Sequence, residues 1–239
     1  MREQVAKDRI LIVGVGGLGV PALWALARAG AQRLTLVDPD PVEVSNLARQ
    51  VIFRSRDIGT PKVEAAARWL AERFPNVKVE LHALALEASN AAPLIAAHDF
   101  VIDATDSPVA KFLINDTCIC SRTPFVYGGV VGMTGQAMTV IPTETACIRC
   151  VFETVPDEDE IQSCRESGIV GPVAAAIGEM QAGEAMRASR AQPFLLSGKI
   201  LTYDASRSSR VRITAVSPRP GCGCGAWKRE HRESQAPGK

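Results

Sequence analysis

The sequence predicts an α/β fold: a mainly parallel sheet continued by antiparallel C-terminal strands, with helices on both faces. Two patterns carry this reading. Between Ile10 and Ser121 short apolar runs alternate with helix-spaced segments, as in a parallel sheet wound with crossover helices. After about Pro124, strand-like runs follow one another around a single long Ala-rich segment.

Each element has its own signal. Ile10–Val13 is a continuous apolar run ended by glycines, and Leu18–Ala29 then shows helical spacing at Leu18, Leu23 and Leu26. Leu34–Val37 is the next short strand. Pro61–Phe74 opens on proline, which suits a first helical turn, and has an Ala-rich body. Val77–Leu84 alternates Val77, Val79 and Leu81 with Lys78, Glu80 and His82, the pattern of a half-buried strand. Phe100–Ile102 reads as a buried strand followed by a helix near Val109–Ser121, on which Cys118 and Cys120 are expected to pack in the core. Phe125–Tyr127, Gln136–Ile141, Lys199–Tyr203 and Val211–Val216 read as strands, and Pro172–Ser189 as a helix. Thr154–Ser167 is acidic and polar and reads as an exposed loop.

Composition removes several function classes. The 239 residues hold 27 Lys+Arg against 26 Asp+Glu, a net charge of +1, which gives no broad electrostatic footprint for nucleic acid or an anionic membrane. Aromatic residues are only 5%, too few for base-stacking surfaces. Ile10–Ala27 is uncharged but is split by Gly14, Gly16, Gly17, Gly19 and Pro21, so it is a strand and a helix rather than a leader or a span. Thr123–Thr143 is equally glycine-broken. A cytoplasmic protein is the expectation. His82, His98 and His231 form no constellation with a Ser or Cys nucleophile.

The motifs point to a nucleotide. Gly14-Val15-Gly16-Gly17-Leu18-Gly19 joins a strand to a helix, as in a Rossmann-like sheet, and Asp38 ends the following strand. Glycines there let a nucleotide approach the backbone, the helix N-terminus favours phosphate, and a carboxylate can accept from ribose hydroxyls. This turn alone leaves a dinucleotide and ATP both open. Ser45-Asn46-Leu47-Ala48-Arg49-Gln50, Gly59-Thr60-Pro61-Lys62 and Asp103-Ala104-Thr105-Asp106 follow at successive strand ends. A dehydrogenase needs no such Arg and Lys pair, whereas phosphoryl or nucleotidyl transfer uses cations on the phosphates and a carboxylate for Mg²⁺. Seven cysteines, an odd number, are clustered as Cys147-x-x-Cys150 and Cys222-x-Cys224, which suits metal rather than disulfides. Four thiolates suit a closed structural zinc site.

Together, Gly14–Gly19, Asp38 with Asn46-x-x-Arg49, Gly59-x-Pro61-Lys62 and Asp103-x-x-Asp106 resemble the ThiF/MoeB/HesA family, relatives of the ubiquitin-activating enzymes that adenylate sulfur carriers. The resemblance runs from about Gln4 to Gly225. It implies that Asp38 binds the ATP ribose, that Asn46, Arg49 and Lys62 contact phosphates, and that Asp106 holds Mg²⁺. It implies an adenylyltransferase acting on the C-terminal glycine of a ubiquitin-like sulfur carrier ending in Gly-Gly, for thiamine or molybdenum-cofactor biosynthesis. A homodimer and a separate sulfur donor, a cysteine desulfurase or sulfurtransferase, are further implications. Cys164 matches the position where some members form an acyl-disulfide with the carrier. The implied layout is one adenylation domain over 1–227, with a nucleotide-binding half (1–123), a carrier-binding half (124–227, containing a crossover loop at 154–171 and the zinc site) and a charged tail (228–239).

Two departures from the family stand out. Its second cysteine pair is usually C-x-x-C, where this chain has Cys222-x-Cys224. The family's N-terminal helix, whose arginine reaches a neighbouring subunit's ATP site, is expected to be lacking here, with Arg2 or Arg9 as candidate substitutes. A non-catalytic carrier-binding scaffold of the same fold, and an NAD-dependent oxidoreductase resting on the glycine turn and Asp38 alone, are the alternative readings.

Overall fold

A computed structural model describes residues 9–156 and 168–225. The chain runs β1 (Arg9–Val13), α1 (Gly19–Arg28), β2 (Arg33–Val37), α2 (Lys62–Arg73), β3 (Lys78–His82), α3 (Ala91–Ala96), β4 (Phe100–Asp103) and α4 (Pro108–Ser121). It continues through β5 (Phe125–Val131), β6 (Thr134–Val140), α5 (Ile148–Val151), α6 (Gly171–Ser189), β7 (Lys199–Asp204) and β8 (Val211–Ala215). The eight strands form one sheet in the order β3-β2-β1-β4-β5-β6-β7-β8. The first five are parallel and the pairs from β5 to β8 are antiparallel.

The pleat divides the core in two. Ile10 and Ile12 of β1 face one side with Leu34, Leu36 and Ile102, against Leu23 and Leu26 of α1, Val63 and Leu70 of α2 and Ile177 of α6. Leu11 and Val13 face the other side with Val101 and Phe125, against Ile95 of α3, Phe112 and Ile114 of α4 and Ile148 of α5. Strands buried on both faces are mostly apolar, as in Ile10–Val13 of β1 and Phe100–Ile102 of β4; the buried Thr35 hydroxyl within β2 is paired with His98 Nε2 at 2.7 Å. Each fully buried Leu or Ile contributes about 1.5–3 kcal/mol relative to exposure.

Local signals set the helix ends. In α4 the Ser107 hydroxyl accepts from the Ala110 N–H at 3.3 Å, Pro108 occupies the first turn, and Arg122 closes the helix at φ 57°. Pro61 immediately precedes α2.

Four details differ from the sequence reading. β3 is a sheet edge, so its alternation buries little and Leu81 is exposed. β5 extends past Tyr127 to Val131 through two glycines. The six-residue α3, with Pro93 inside it, gives too short a periodicity to read. Cys118 is buried as expected, but Cys120 is exposed, because two residues along a helix reverse the face.

Candidate active site and cysteine cluster

Strand order reverses between β1 and β4, and in such sheets ligands sit at the carboxyl ends of the strands flanking that point. The loops leaving those two strands touch. Gly14, directly after β1, has φ 95°, and a Cβ there would stand 2.6 Å from the Ala104 carbonyl oxygen beyond β4. A Cβ on Gly19 would overlap the Gly14 carbonyl. Gly16 and Gly17 differ. A Cβ at Gly16 would meet only Gln50 at 3.7 Å, and one at Gly17 would meet Ala174 and Arg49 at 3.6 Å. Packing therefore demands glycine at 14 and 19, while 16 and 17 leave bare backbone open to a ligand at the start of α1. The unpaired N–H groups of a helix's first turn suit phosphate.

Asp38 follows β2 and lies below that loop. Its Oδ2 accepts the Val15 N–H at 2.6 Å and its Oδ1 accepts the Asp40 N–H at 2.9 Å. Burial raises its pKa above the ordinary carboxylate value, against the opposing pull of Lys62 and the two backbone donors. Lys62, buried at the start of α2, places Nζ 2.7 Å from Asp40 Oδ2 and 3.7 Å from Asp38 Oδ1. Asn46 is buried in a turn at Val44–Asn46, where its Oδ1 accepts the Glu43 N–H. Arg49 donates to the Ser45 carbonyl at 3.0 Å and lies between Gly17 and Gly171, the first residue of α6. Asp106 is exposed on the loop after β4. The glycine loop, Asp38, Arg49 and Lys62 are thus brought together, with Asp106 on the adjoining loop of the same sheet end.

Two polar residues at this end, Lys111 and Gln181, escaped the sequence reading, and Asp103 and Gln50 entered it only as motif members without a role. Asp103 is fully buried and paired with Lys111, whose Nζ lies 3.2 and 3.3 Å from its two carboxylate oxygens and also donates to the Gly128 carbonyl. Gln181 of α6 donates to the Asp103 carbonyl at 2.6 Å and fills the space a Cβ on Gly128 would need. Gln50, buried beside Gly16, has a side-chain oxygen without a partner among the described residues. Gln181 and Asp103 are 78 residues apart, so no local pattern announces the contact. Gln50 was visible only as the neighbour of Arg49.

On the opposite helix layer, α5 and the C-terminal segment gather the cysteines. Cys147 Sγ is 3.9 Å from Cys150 and 3.7 Å from Cys222, and Cys150 is 3.7 Å from Cys224. All four sulfurs lie within 4.8 Å of one another. A tetrahedron with metal–sulfur arms of about 2.3 Å has edges of about 3.8 Å, so the donor set fits zinc. The one-residue spacer between Cys222 and Cys224 therefore still permits a four-sulfur cage. Neighbouring thiols, Cys224 first, and burial push the Cys147 thiol up. Asn115 Oδ1 accepts the Ile148 N–H at 2.9 Å, and Arg149 makes two 2.7 Å bonds to Asp116, which docks α5 on α4. Cys164 and most of 154–171 lie outside the described residues, as does the 228–239 tail. Among the described residues no helix is long and apolar enough to cross a membrane.

Comparison with known proteins gives one consistent answer. The pattern of the ThiF family matches residues 1–224. The chain is 38% identical over 202 residues to the SAMP-activating enzyme E1 of Haloferax volcanii, covering 84% of this chain and 74% of that one. It is 35% identical over 236 residues to a sulfur carrier protein adenylyltransferase of Thermus thermophilus, covering 96% and 87%. Against the adenylyltransferase and sulfurtransferase MOCS3 of Arabidopsis thaliana it is 36% identical over 218 residues, covering 91% of this chain but 47% of that protein, about half its length. Among solved structures, E. coli MccB with ATP superposes with a TM-score of 0.80 at 21% identity, covering 92% and 68%, a likeness of fold. The chain belongs to the ThiF family.

Proposed function

We propose that this protein is an ATP-dependent adenylyltransferase that activates the C-terminal glycine of a ubiquitin-like sulfur carrier. The observation that carries the reading is the convergence of open glycine backbone, Asp38, Arg49 and Lys62 at the switch point of a ThiF-family sheet. An NAD-dependent oxidoreductase would leave the buried Lys62, and Arg49 beside Gly17, without work, and a mere scaffold would not need both at one sheet end.

The chemistry follows from the placement. The bare backbone at Gly16 and Gly17 and the start of α1 receive phosphates, and Asp38 accepts from the ribose hydroxyls. Lys62 is held at the pocket by Asp38 and Asp40, so arrival of ATP offers it a phosphate partner without a large search. The same reading assigns Arg49 and Asn46 to the phosphates. A carboxylate oxygen of the carrier's terminal glycine attacks the α-phosphorus; the bond from that phosphorus to the bridging oxygen breaks, and pyrophosphate leaves with the electron pair. Approach of an anion to a polyanion requires cations already in position, which is what these side chains supply. Asp106, an exposed carboxylate, would hold Mg²⁺, which when bound would supply positive charge to the pyrophosphate leaving group. Cys147, Cys150, Cys222 and Cys224 would hold a structural Zn²⁺ that ties the C-terminal segment to α5.

The same reading takes 1–227 as one domain, with 1–123 binding nucleotide and 124–227 binding the carrier. It further assigns a homodimer, a cytoplasmic setting, a separate cysteine desulfurase or sulfurtransferase as sulfur donor, and thiamine or molybdenum-cofactor synthesis as the pathway. A covalent step at Cys164 belongs to this proposal too. The test is pyrophosphate release on adding a Gly-Gly-ended carrier to protein, ATP and Mg²⁺. Release that vanishes when the carrier's last glycine is removed supports the reading; ATP turnover indifferent to that glycine refutes it.

A further inference from the structure

Asp103, at the end of β4, is a fully buried carboxylate, and a charge taken out of water needs compensating partners. Its oxygens are saturated in a particular way. Oδ1 accepts the Thr105 N–H at 3.1 Å, the Thr105 hydroxyl at 2.8 Å and Lys111 Nζ at 3.2 Å, and Oδ2 accepts Lys111 Nζ at 3.3 Å. Two of these bonds fold the chain back from Asp103 onto Thr105, the residue immediately before Asp106, in the manner of an Asx turn. Lys111 itself is held from three sides: by Asp103, by the Gly128 carbonyl of β5, and by the Tyr127 ring, whose centroid is 4.9 Å from Nζ. The pair thus locks the end of β4, the first turns of α4 and β5 together beneath the loop that carries Asp106. Neither Lys111 nor Thr105 has a part in the chemistry above.

We propose that Lys111 is a positioning residue for Asp106, acting through the Asp103 carboxylate and the Thr105 turn. With the ammonium gone, the Asp103 carboxylate loses the two contacts that tie it through Lys111 to α4 and to the Gly128 carbonyl of β5, and the turn it forms with Thr105 slackens. Asp106, exposed and without an ion pair among the described residues, depends on that turn for its place. The inference rests on the proposed role of Asp106 toward Mg²⁺.

The test is calorimetric titration of Mg²⁺ into the full chain saturated with ATP, with ATP binding in the absence of Mg²⁺ measured in parallel. Lys111→Met is expected to raise the Mg²⁺ concentration for half-saturation about tenfold, the range seen when groups supporting a metal ligand are removed. Metal-free ATP binding is expected to stay within about twofold, and Lys111→Arg to restore most of the metal affinity. Thr105→Val keeps the ion pair and removes only the hydroxyl, so it carries the test should Lys111→Met not fold; a rise of about threefold is expected from one hydrogen bond. A merely structural role would lower the melting temperature and leave the Mg²⁺ titration in place. Wild-type protein that binds Mg²⁺ and ATP, with an unshifted titration in a folded Lys111→Met or in Thr105→Val, overturns this inference alone. Wild-type protein that binds no ATP with Mg²⁺ overturns the proposed function, and this inference with it.

Discussion

Removing the metal from the four-cysteine cluster should loosen the C-terminal segment, and the structure sets the size of the effect. Cys150 and Cys224 are 74 residues apart in sequence yet 3.7 Å apart in space. A cross-link closing a loop of that length lowers the entropy of the unfolded chain by an amount worth about 4 kcal/mol at room temperature. For a chain of this size that corresponds to roughly 10 °C in melting temperature. The perturbation is a zinc chelator, or Cys222→Ser with Cys224→Ser, and the assay is thermal unfolding alongside zinc content measured by elemental analysis. One zinc per chain, lost in the double variant together with a melting point lower by about that margin, is the expected result. Metal-free protein melting within about 2 °C of the native form would refute the argument, since the cluster would then tie nothing together.

Other consequences follow from single residues. Lys62→Met keeps the buried volume but removes the cation from the phosphates, and adenylation should fall ~10²–10³-fold, read as initial rates at saturating ATP. Burial raises the Asp38 pKa, so its ionised form is a net cost that appears as pH rises above 3.8; Asp38→Asn should leave the melting point at pH 7 within a few degrees while abolishing ATP binding, checked by thermal shift with and without nucleotide. Asp116 shifts the other way. Burial alone would raise it, but the bonds from Arg149 outweigh that and lower its pKa. Its pairing is therefore fully present above 3.8 and lost as pH falls through the lowered value, so Asp116→Asn should melt lower at pH 7 and lose less stability on acidification below 4. Gly19→Ala should fail to accumulate as folded protein, judged by circular dichroism, because its methyl would overlap the Gly14 carbonyl.

The parallel half of the fold was legible because its inner strands β1, β2 and β4 are buried on both faces and so are written as short, mainly apolar runs. The antiparallel half was legible in outline, but the length of β5 was hidden by Gly128 and Gly129, whose missing side chains are replaced by a Gln181 amide from α6 and the hydroxyl of Tyr127 in the same strand. Leu81 misled because an alternating pattern says which residues share a face, not whether anything covers it. The site divides in the same manner. Asp38 and Asp106 lie just past strand ends and Arg49 and Lys62 in the β2–α2 connection, each within a short motif, so these candidates could be singled out from the sequence. Lys111 could not, because its meaning comes from Asp103 and Gly128 on two other elements, and a lysine in the first turns of a helix ordinarily faces solvent. The cysteine spacing left the cage uncertain until the sulfur positions showed that a one-residue spacer still permits tetrahedral edges.

The most direct test of the central claim is ATP–pyrophosphate exchange with purified protein, Mg²⁺ and a panel of Gly-Gly-ended sulfur carriers. Exchange that requires one of those carriers, and that is lost in Asp106→Ala and Lys62→Met, is the predicted result. Folded protein that binds ATP but exchanges no pyrophosphate with any carrier would contradict it.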